Sequence, residues 1–130
     1  MAMNDPLASA LSKIENAERV GKPQVEILPS SKMIKKILTI LNDKNYVGGY
    51  EEMETARGNY VVVHLLHSIN KAGVIKPRFA FRKEDYENVE KRYLPAKDFG
   101  VIIVTTSQGL MTLAEAKDQG IGGKLIAYCY

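Results

Sequence analysis

The residues with the most evident binding chemistry follow a short apolar run late in the chain. Residues 101–104 are four β-branched side chains in succession, a pattern typical of a strand buried on both faces. The next five residues are uncharged and slender, and several can both donate and accept hydrogen bonds: Thr105, Thr106, Ser107, Gln108 and Gly109. Because the strand would fix this loop in space, we predict that it contacts a polar surface at close range. The RNA minor groove, with its 2′-hydroxyls and base edges, is such a surface.

A helix cap is the first alternative interpretation of this stretch. Thr112 and Glu115 have the spacing of a capping box, in which the hydroxyl and the carboxylate satisfy free backbone amides at a helix N-terminus. The loop would then be a simple strand-to-helix turn. We assign this capping role to Thr112, but it leaves residues 105–109 unexplained.

Nucleophilic catalysis is the second alternative, with Ser107 on a strand-turn-helix elbow. Such an elbow needs a glycine two residues earlier, where the chain has Thr105, and a histidine further along the chain. The only histidines, His64 and His67, lie upstream and are expected on opposite faces of one strand, so they cannot share a metal ion. With a single cysteine, Cys129, and no isolated pair of carboxylates, we predict neither an enzyme nor a metal or cofactor site.

A glycine-rich segment, residues 120–124, precedes the last predicted strand. It is not a phosphate-binding loop, because its glycine spacing is wrong and a leucine follows its lysine where a serine or threonine is required. Gly122 and Gly123 instead remove side chains, so that the backbone can approach something closely, and Lys124 adds a positive charge. If the flanking strands are neighbours in a sheet, this turn lies near Ser107.

Positive charge is concentrated in the second half of the chain. Residues 1–67 carry eight Lys and Arg against eight Asp and Glu, whereas residues 68–130 carry ten against seven, which accounts for the net charge of +3. Lys76 and Arg78 belong to a stretch without acids, interrupted by a proline and therefore expected at a sheet edge. This edge is either an RNA contact or a solvated basic face. Phe79 beside it is expected in the core more often than as a stacking surface.

A second, weaker contact is predicted in the first half of the chain. Three lysines occupy the first turn and a half of a predicted helix, where the helix dipole already places positive charge. A bound anion would relieve this conflict, which selects Ser30, Ser31 and Lys32, although simple solvation of the lysines is the alternative. Arg57 is expected at the exposed tip of a hairpin.

The periodicity of apolar residues predicts an α+β protein of two small subdomains. Residues 1–68 form an N-terminal αβαββ unit and residues 69–130 a mainly β unit with short helices, divided at a polar, turn-prone stretch. No apolar run is long enough to span a membrane, and the lone cysteine fits a reducing cytoplasm. The predicted helices are 6–20, capped by Asn4 or Asp5, 32–41, capped by Ser31, 84–94 and 114–119. The predicted strands are 24–28, 46–54, 60–67, 74–81, 101–104 and 125–130.

Two segments near the C-terminal end resemble a known family. The runs TTSQGLMT and GIGGKLIAYCY closely resemble the signature end of the ribosomal protein S8 family of the small subunit. The resemblance extends to NDPLASAL, SSKMIKKIL, NYVGGYEE and NKAGVIKPRF, and so covers essentially the whole chain. The IKPRF segment and Lys124, where bacterial members usually carry glutamate, resemble the archaeal and eukaryotic branch, and the archaeal form in particular.

This resemblance implies two tightly associated subdomains that bind the central domain of small-subunit ribosomal RNA early in assembly, through the minor groove of an irregular stem. It implies a binding loop at residues 105–109, supported by residues 122–124. Implied partners are this RNA and neighbouring ribosomal proteins, with a monomer when free and a location on cytoplasmic ribosomes. The alternative is a protein-interaction module that docks an acidic protein partner. Residues implied to lie near adjoining RNA are Asn4, Asp5, Ser30, Ser31, Lys32 and Arg57.

Overall fold

The computed structural model describes five stretches of the chain: residues 6–27, 32–56, 58–75, 79–96 and 99–130. Helices and antiparallel sheets confirm the predicted α+β class. The chain divides into two compact units, residues 1–72 and 73–130. None of the described helices combines the length and apolar character needed to cross a membrane.

The first unit has the order αβαββ. Its three strands form an antiparallel sheet in the order β1-β3-β2. The elements are α1 (Pro6–Val20), β1 (Gln24–Ile27), α2 (Lys32–Asp43), β2 (Val47–Thr55) and β3 (Gly58–Leu65).

Both helices of this unit bury the apolar residues that their spacing predicts. In α1, Leu7, Leu11 and Ile14 recur at helical intervals, and each is buried. α2 buries four residues at the same kind of spacing, and its opposite face remains exposed. The helices are therefore amphipathic and contact the sheet through β1 and β2.

β3 ends at Leu65, so the predicted strand 60–67 is two residues too long. The cause is Glu18 of α1, whose side chain is only 3 % exposed. Its carboxylate oxygens accept the backbone N–H groups of His67, at 3.1 Å, and Ile69, at 2.9 Å. His67 also has a φ of 60°, which ends the extended conformation. This long-range contact is invisible in local sequence patterns.

The second unit contains a sheet in the order β4-β8-β6-β7, with β5 also paired to β8. The predicted strand 74–81 is therefore two short strands, β4 and β5, and as expected it lies at a sheet edge. The elements are β4 (Ala72–Val74), β5 (Ala80–Phe81), a 3₁₀ turn (Lys83–Asp85), α3 (Tyr86–Tyr93), β6 (Val101–Thr106), β7 (Gly109–Thr112), α4 (Leu113–Gln119) and β8 (Gly123–Cys129).

β6 is the central support of this unit. All four residues of its apolar run, 101–104, are buried, which confirms the prediction of a strand covered on both faces. Ile102 and Val104 join a core cluster with Leu125 of β8 and with residues of α3 and α4. The end of β6 is thus held by strands on both sides and by a packed core.

Candidate nucleic-acid interface

The predicted loop 105–109 is a β-hairpin, not a strand-to-helix turn. Thr105 and Thr106 still belong to β6, Ser107 and Gln108 form the turn, and Gly109 begins β7. The chain can reverse here because Gly109 adopts a φ of 104°, a conformation that side chains disfavour. The predicted loop is therefore shorter than expected, since only Ser107 and Gln108 lie outside the strands, but the polar residues do lie at the tip of a buried strand.

The Thr106 side chain stabilises the turn from inside. Its hydroxyl accepts the backbone N–H of Gln108 at 3.0 Å and donates to the carbonyl oxygen of Gly109 at 3.1 Å. The hairpin between β2 and β3 has the same arrangement, since the Thr55 hydroxyl donates to the carbonyl oxygen of Gly58 at 2.6 Å. Threonine and glycine three positions apart are thus a turn signal that occurs twice in this sequence.

Ser107 and Gln108 present the hydrogen-bonding groups that the hairpin leaves available. Both residues are exposed, and neither side chain forms a hydrogen bond with any part of the chain that the structure describes. The Ser107 hydroxyl can donate and accept, and the Gln108 amide has two donors and an acceptor. The tip is therefore uncharged and polar, as the sequence predicted.

Lys124 lies beside the base of this hairpin. β8 is the neighbour of β6, and the strand register pairs Lys124 with Thr105, so the predicted proximity of the glycine-rich turn is confirmed. Leu110 pairs with Thr105 on the other side, and Ala80 pairs with Lys124. Directly paired residues project to the same face, so these four side chains form one row across the sheet. Lys124 is exposed and supplies the positive charge in that row.

The two glycines before Lys124 make close contacts with the chain itself. A Cβ on Gly122 would lie 2.5 Å from the carbonyl oxygen of Phe81, and a Cβ on Gly123 would overlap the carbonyl oxygen of Thr105. The close approach predicted for the backbone of Gly122 and Gly123 is therefore made to β5 and β6 of the chain itself. Gly123 allows β8 to meet the last residues of β6 without a gap.

Tyr86 fixes the segment that leads into β8. Its buried hydroxyl lies 2.6 Å from the carbonyl oxygen of Ile121, to which it donates, and 3.1 Å from that of Ala116. Burial raises the pKa of Tyr86, and the negative charge of Glu84 adds to the shift. Local sequence patterns did not indicate this role of Tyr86, because its hydrogen-bond partners lie 30 or more residues away.

We expect Tyr86→Phe to reduce the free energy of unfolding by about 1 kcal/mol, because the Ile121 carbonyl loses its donor. The raised pKa of Tyr86 contributes stability that is complete below the ordinary value of 10.0 and is lost as pH rises through the folded-state pKa. The free energy of unfolding, measured in urea, should therefore fall less for the variant than for the wild type between neutral pH and a pH above 10. Equal decreases would contradict this role of Tyr86.

The capping box at α4 is only partly as predicted. The Thr112 hydroxyl accepts the backbone N–H of Glu115 at 3.1 Å, which confirms it as the N-cap. The Glu115 carboxylate, however, accepts from the Thr112 hydroxyl at 3.2 Å, where a backbone amide was predicted as its donor. Thr112 is therefore structural, and it stands apart from the polar tip.

Lys32 is the remaining predicted contact within the described residues, and it lies exposed at the first position of α2. One of its two neighbouring lysines, Lys35, forms a 3.2 Å ion pair with Glu52, which removes part of the charge conflict predicted for this helix. The other predicted contacts lie outside the described residues; these are Asn4, Asp5, Ser30, Ser31, Arg57, Lys76 and Arg78.

Phe79 and Arg92 form a contact that the sequence did not indicate. Phe79 was expected in the core, but it is 39 % exposed, and the Arg92 guanidinium lies over its ring at 5.2 Å from the centroid. Phe79 immediately precedes β5 and Arg92 belongs to α3, and both residues line one groove. The two residues belong to different parts of the fold, so no local pattern in the sequence joins them.

The fold and this surface define a small α+β binding protein that presents a rigid polar hairpin. Within the described stretches, no group of three or more His, Cys, Asp and Glu residues could hold a metal ion. The model of the family Ribosomal protein S8 matches residues 5–130, and the chain belongs to this family. It is accordingly a small-subunit ribosomal protein that binds ribosomal RNA within the ribonucleoprotein that performs translation. The family is one of structural proteins, not enzymes, and its place is the ribosome.

Proposed function

We propose that this chain is a primary binder of the central domain of small-subunit ribosomal RNA, required early in subunit assembly. The hairpin tip enters the minor groove of an irregular stem. The observation that carries this proposal is the exposed pair Ser107 and Gln108 at the end of a strand buried on both faces. Their side chains form no hydrogen bond with the described residues. Small polar groups held this rigidly suit a wide, shallow groove lined with 2′-hydroxyls and base edges.

The charge distribution supports recognition by shape and short hydrogen bonds. A net charge of +3 is small for a protein that binds mainly by neutralising phosphates. Lys124 lies next to Thr105 in the strand register, so a single phosphate or base-edge acceptor can be met beside the tip. Gly122 and Gly123 let the backbone before Lys124 pack closely against β5 and β6, which positions this lysine beside the tip.

The proposal also covers the branch of the family, the state of the free protein and its location. Lysine at position 124 and the IKPRF segment favour the archaeal-type branch of the family. The free protein is a monomer that meets other ribosomal proteins after RNA binding, on cytoplasmic ribosomes.

The proposed RNA surface is wider than the hairpin. Beyond residues 105–109 and 122–124, the proposed RNA contacts are Lys76 and Arg78 in the second unit and Asn4, Asp5, Ser30, Ser31, Lys32 and Arg57 in the first.

Filter binding of a central-domain transcript across a salt series separates the two kinds of contact. Ser107→Ala should weaken binding by about 1–3 kcal/mol, because an RNA group buried against the hydroxyl loses its partner. The dependence of log Kd on log salt should stay unchanged. Lys124→Ala should instead lower that slope by about one, because one phosphate contact is lost.

Two exposed residues provide matched controls. Ser9→Ala on α1 and Lys117→Ala on α4 make the same chemical changes away from the proposed contact. Both should bind like the wild type. Wild-type affinity for Ser107→Ala, or the same salt slope for the Ser107 and Lys124 variants, would refute the assignment.

A further inference from the structure

A groove of about 240 Å³ lies between β5 and α3, on a part of the second unit that the hairpin does not use. Its floor is apolar, formed by Val89, Phe81 and Leu125. Aromatic, amide and charged groups line its sides. The residues that line these sides are Phe79, Ala80, Asp85, Asn88, Arg92 and Tyr93.

The Arg92 guanidinium lies over the Phe79 ring in this groove, and both side chains are exposed. The guanidinium carbon lies 5.2 Å from the centroid of Phe79 and 5.5 Å from that of Tyr93, within the range of cation–π attraction. No carboxylate pairs with Arg92 in the described parts of the chain. Its position is therefore fixed by aromatic rings while its hydrogen-bond donors remain available to a ligand.

Charge is segregated around α3. Glu87 and Glu90 line a different pocket, on the side that faces Lys117 of α4. Asn88 and Arg92 lie on the opposite side, in the groove. The structure thus turns these two acids away from the groove.

The carboxylate that does line the groove is already engaged. Asp85 accepts the backbone N–H of Arg82 at 2.8 Å, so one of its carboxylate oxygens is used at the start of the 3₁₀ turn. The groove therefore combines this carboxylate with a guanidinium that pairs with no carboxylate among the described residues. A nucleotide, which has a flat polar ring and a phosphate, can meet the guanidinium without displacing an ion pair.

Hydrogen-bonding groups for the edge of such a ring are present. Leu125 donates its N–H to the carbonyl oxygen of Phe79 at 2.9 Å, and Ala80 is paired with Lys124. Because backbone bonds alternate along an antiparallel pair, the N–H and C=O of Ala80 point away from β8, toward the open edge. The Asn88 amide is exposed and forms no hydrogen bond with the described residues.

We propose that this groove binds one unstacked nucleotide of the ribosomal RNA, with its base stacked on Phe79 and Arg92. Aromatic rings and guanidinium planes are the groups on which splayed bases of RNA stack. The volume is below the roughly 300–1,000 Å³ of pockets for drug-sized ligands, and it suits a single base. The inference rests on the proposed function, since Ala80 continues the row of Thr105 and Lys124 toward the groove.

Filter binding of the central-domain transcript tests this groove. Phe79→Leu retains an apolar side chain but removes the ring face, so Kd should rise about 5- to 100-fold. Phe79→Tyr retains the ring and should restore wild-type affinity. Phe99→Leu is the control, because Phe99 is a 47 % exposed aromatic in the same unit that lies outside this groove. It should bind like the wild type.

Arg92→Lys gives an independent test, because it retains the charge and removes the planar guanidinium. The affinity of this variant for the transcript should fall, while the dependence of log Kd on log salt should stay unchanged. If the Phe79 and Arg92 variants melt and bind like the wild type while Ser107→Ala binds weakly, the groove contacts something other than RNA, such as a protein, and only this inference fails. If Ser107→Ala also binds normally, the proposed function fails with it.

Discussion

Gly123→Ala is expected to weaken RNA binding and protein stability together. The added Cβ would overlap the carbonyl oxygen of Thr105 and come within 3.1 Å of Thr106 Cγ2. Backbone cannot move aside as a flexible side chain can, so β8 and the end of β6 must separate. Overpacking of this kind costs about 1–3 kcal/mol of unfolding free energy and occasionally more.

The same displacement should move the hairpin tip away from its RNA partners. Loss of one or two short hydrogen bonds corresponds to a Kd increase of roughly 10- to 100-fold. Filter binding and urea unfolding of the same preparation measure the two effects.

Gly120→Ala is the contrasting variant for that experiment. Gly120 has a φ of 68°, and nothing lies within 4 Å of an added Cβ, so the cost there is backbone strain alone, about 1–2 kcal/mol. RNA affinity should hardly change in this variant. If Gly123→Ala bound RNA as tightly as Gly120→Ala, the β6–β8 approach would have no part in positioning the tip.

Ile102→Ala should produce the largest loss of stability, about 2–5 kcal/mol, with little change in the affinity of the folded protein. Ile102 is buried in the central strand, in one cluster with Val104 and Leu125. Deleting its methylene and methyl groups leaves a cavity in the core below the hairpin. The polar tip itself is unchanged, so binding measured well below the unfolding transition should follow only the folded fraction.

Denaturant unfolding and filter binding at low temperature check this separation. Ile102→Val is the graded control and should cost about 0.5–1.5 kcal/mol. A loss of affinity that exceeds the loss of folded fraction would mean that core packing, and not only strand pairing, sets the geometry of the tip. An unfolding free energy equal to that of the wild type would contradict the central position of β6.

Much of the fold followed from local sequence because its elements have strong periodicity. The four β-branched residues 101–104 predicted the buried β6, and the spacing of Leu7, Leu11 and Ile14 predicted α1. The hairpin was missed for a physical reason. β7 has only four residues and runs directly into the Thr112 cap of α4, so alternation of polar and apolar residues had no room to appear.

Other features depend on contacts between distant residues, which no local pattern contains. Glu18 ends β3 by accepting amides about 50 positions away, and Tyr86 holds the carbonyl of Ile121. The contact between Phe79 and Arg92 forms only because the start of β5 and helix α3 border the same groove. The candidate hairpin tip was predictable since its polar residues are consecutive, whereas the groove was not.

The structure of the complex with the central-domain RNA gives the most direct test, through the distance from Ser107 Oγ to the nearest RNA atom. A rigid hairpin that reads the minor groove predicts a hydrogen bond of about 2.5–3.0 Å to a 2′-hydroxyl or a base edge. A serine hydroxyl facing solvent, with the RNA held by other parts of the chain, would contradict the account.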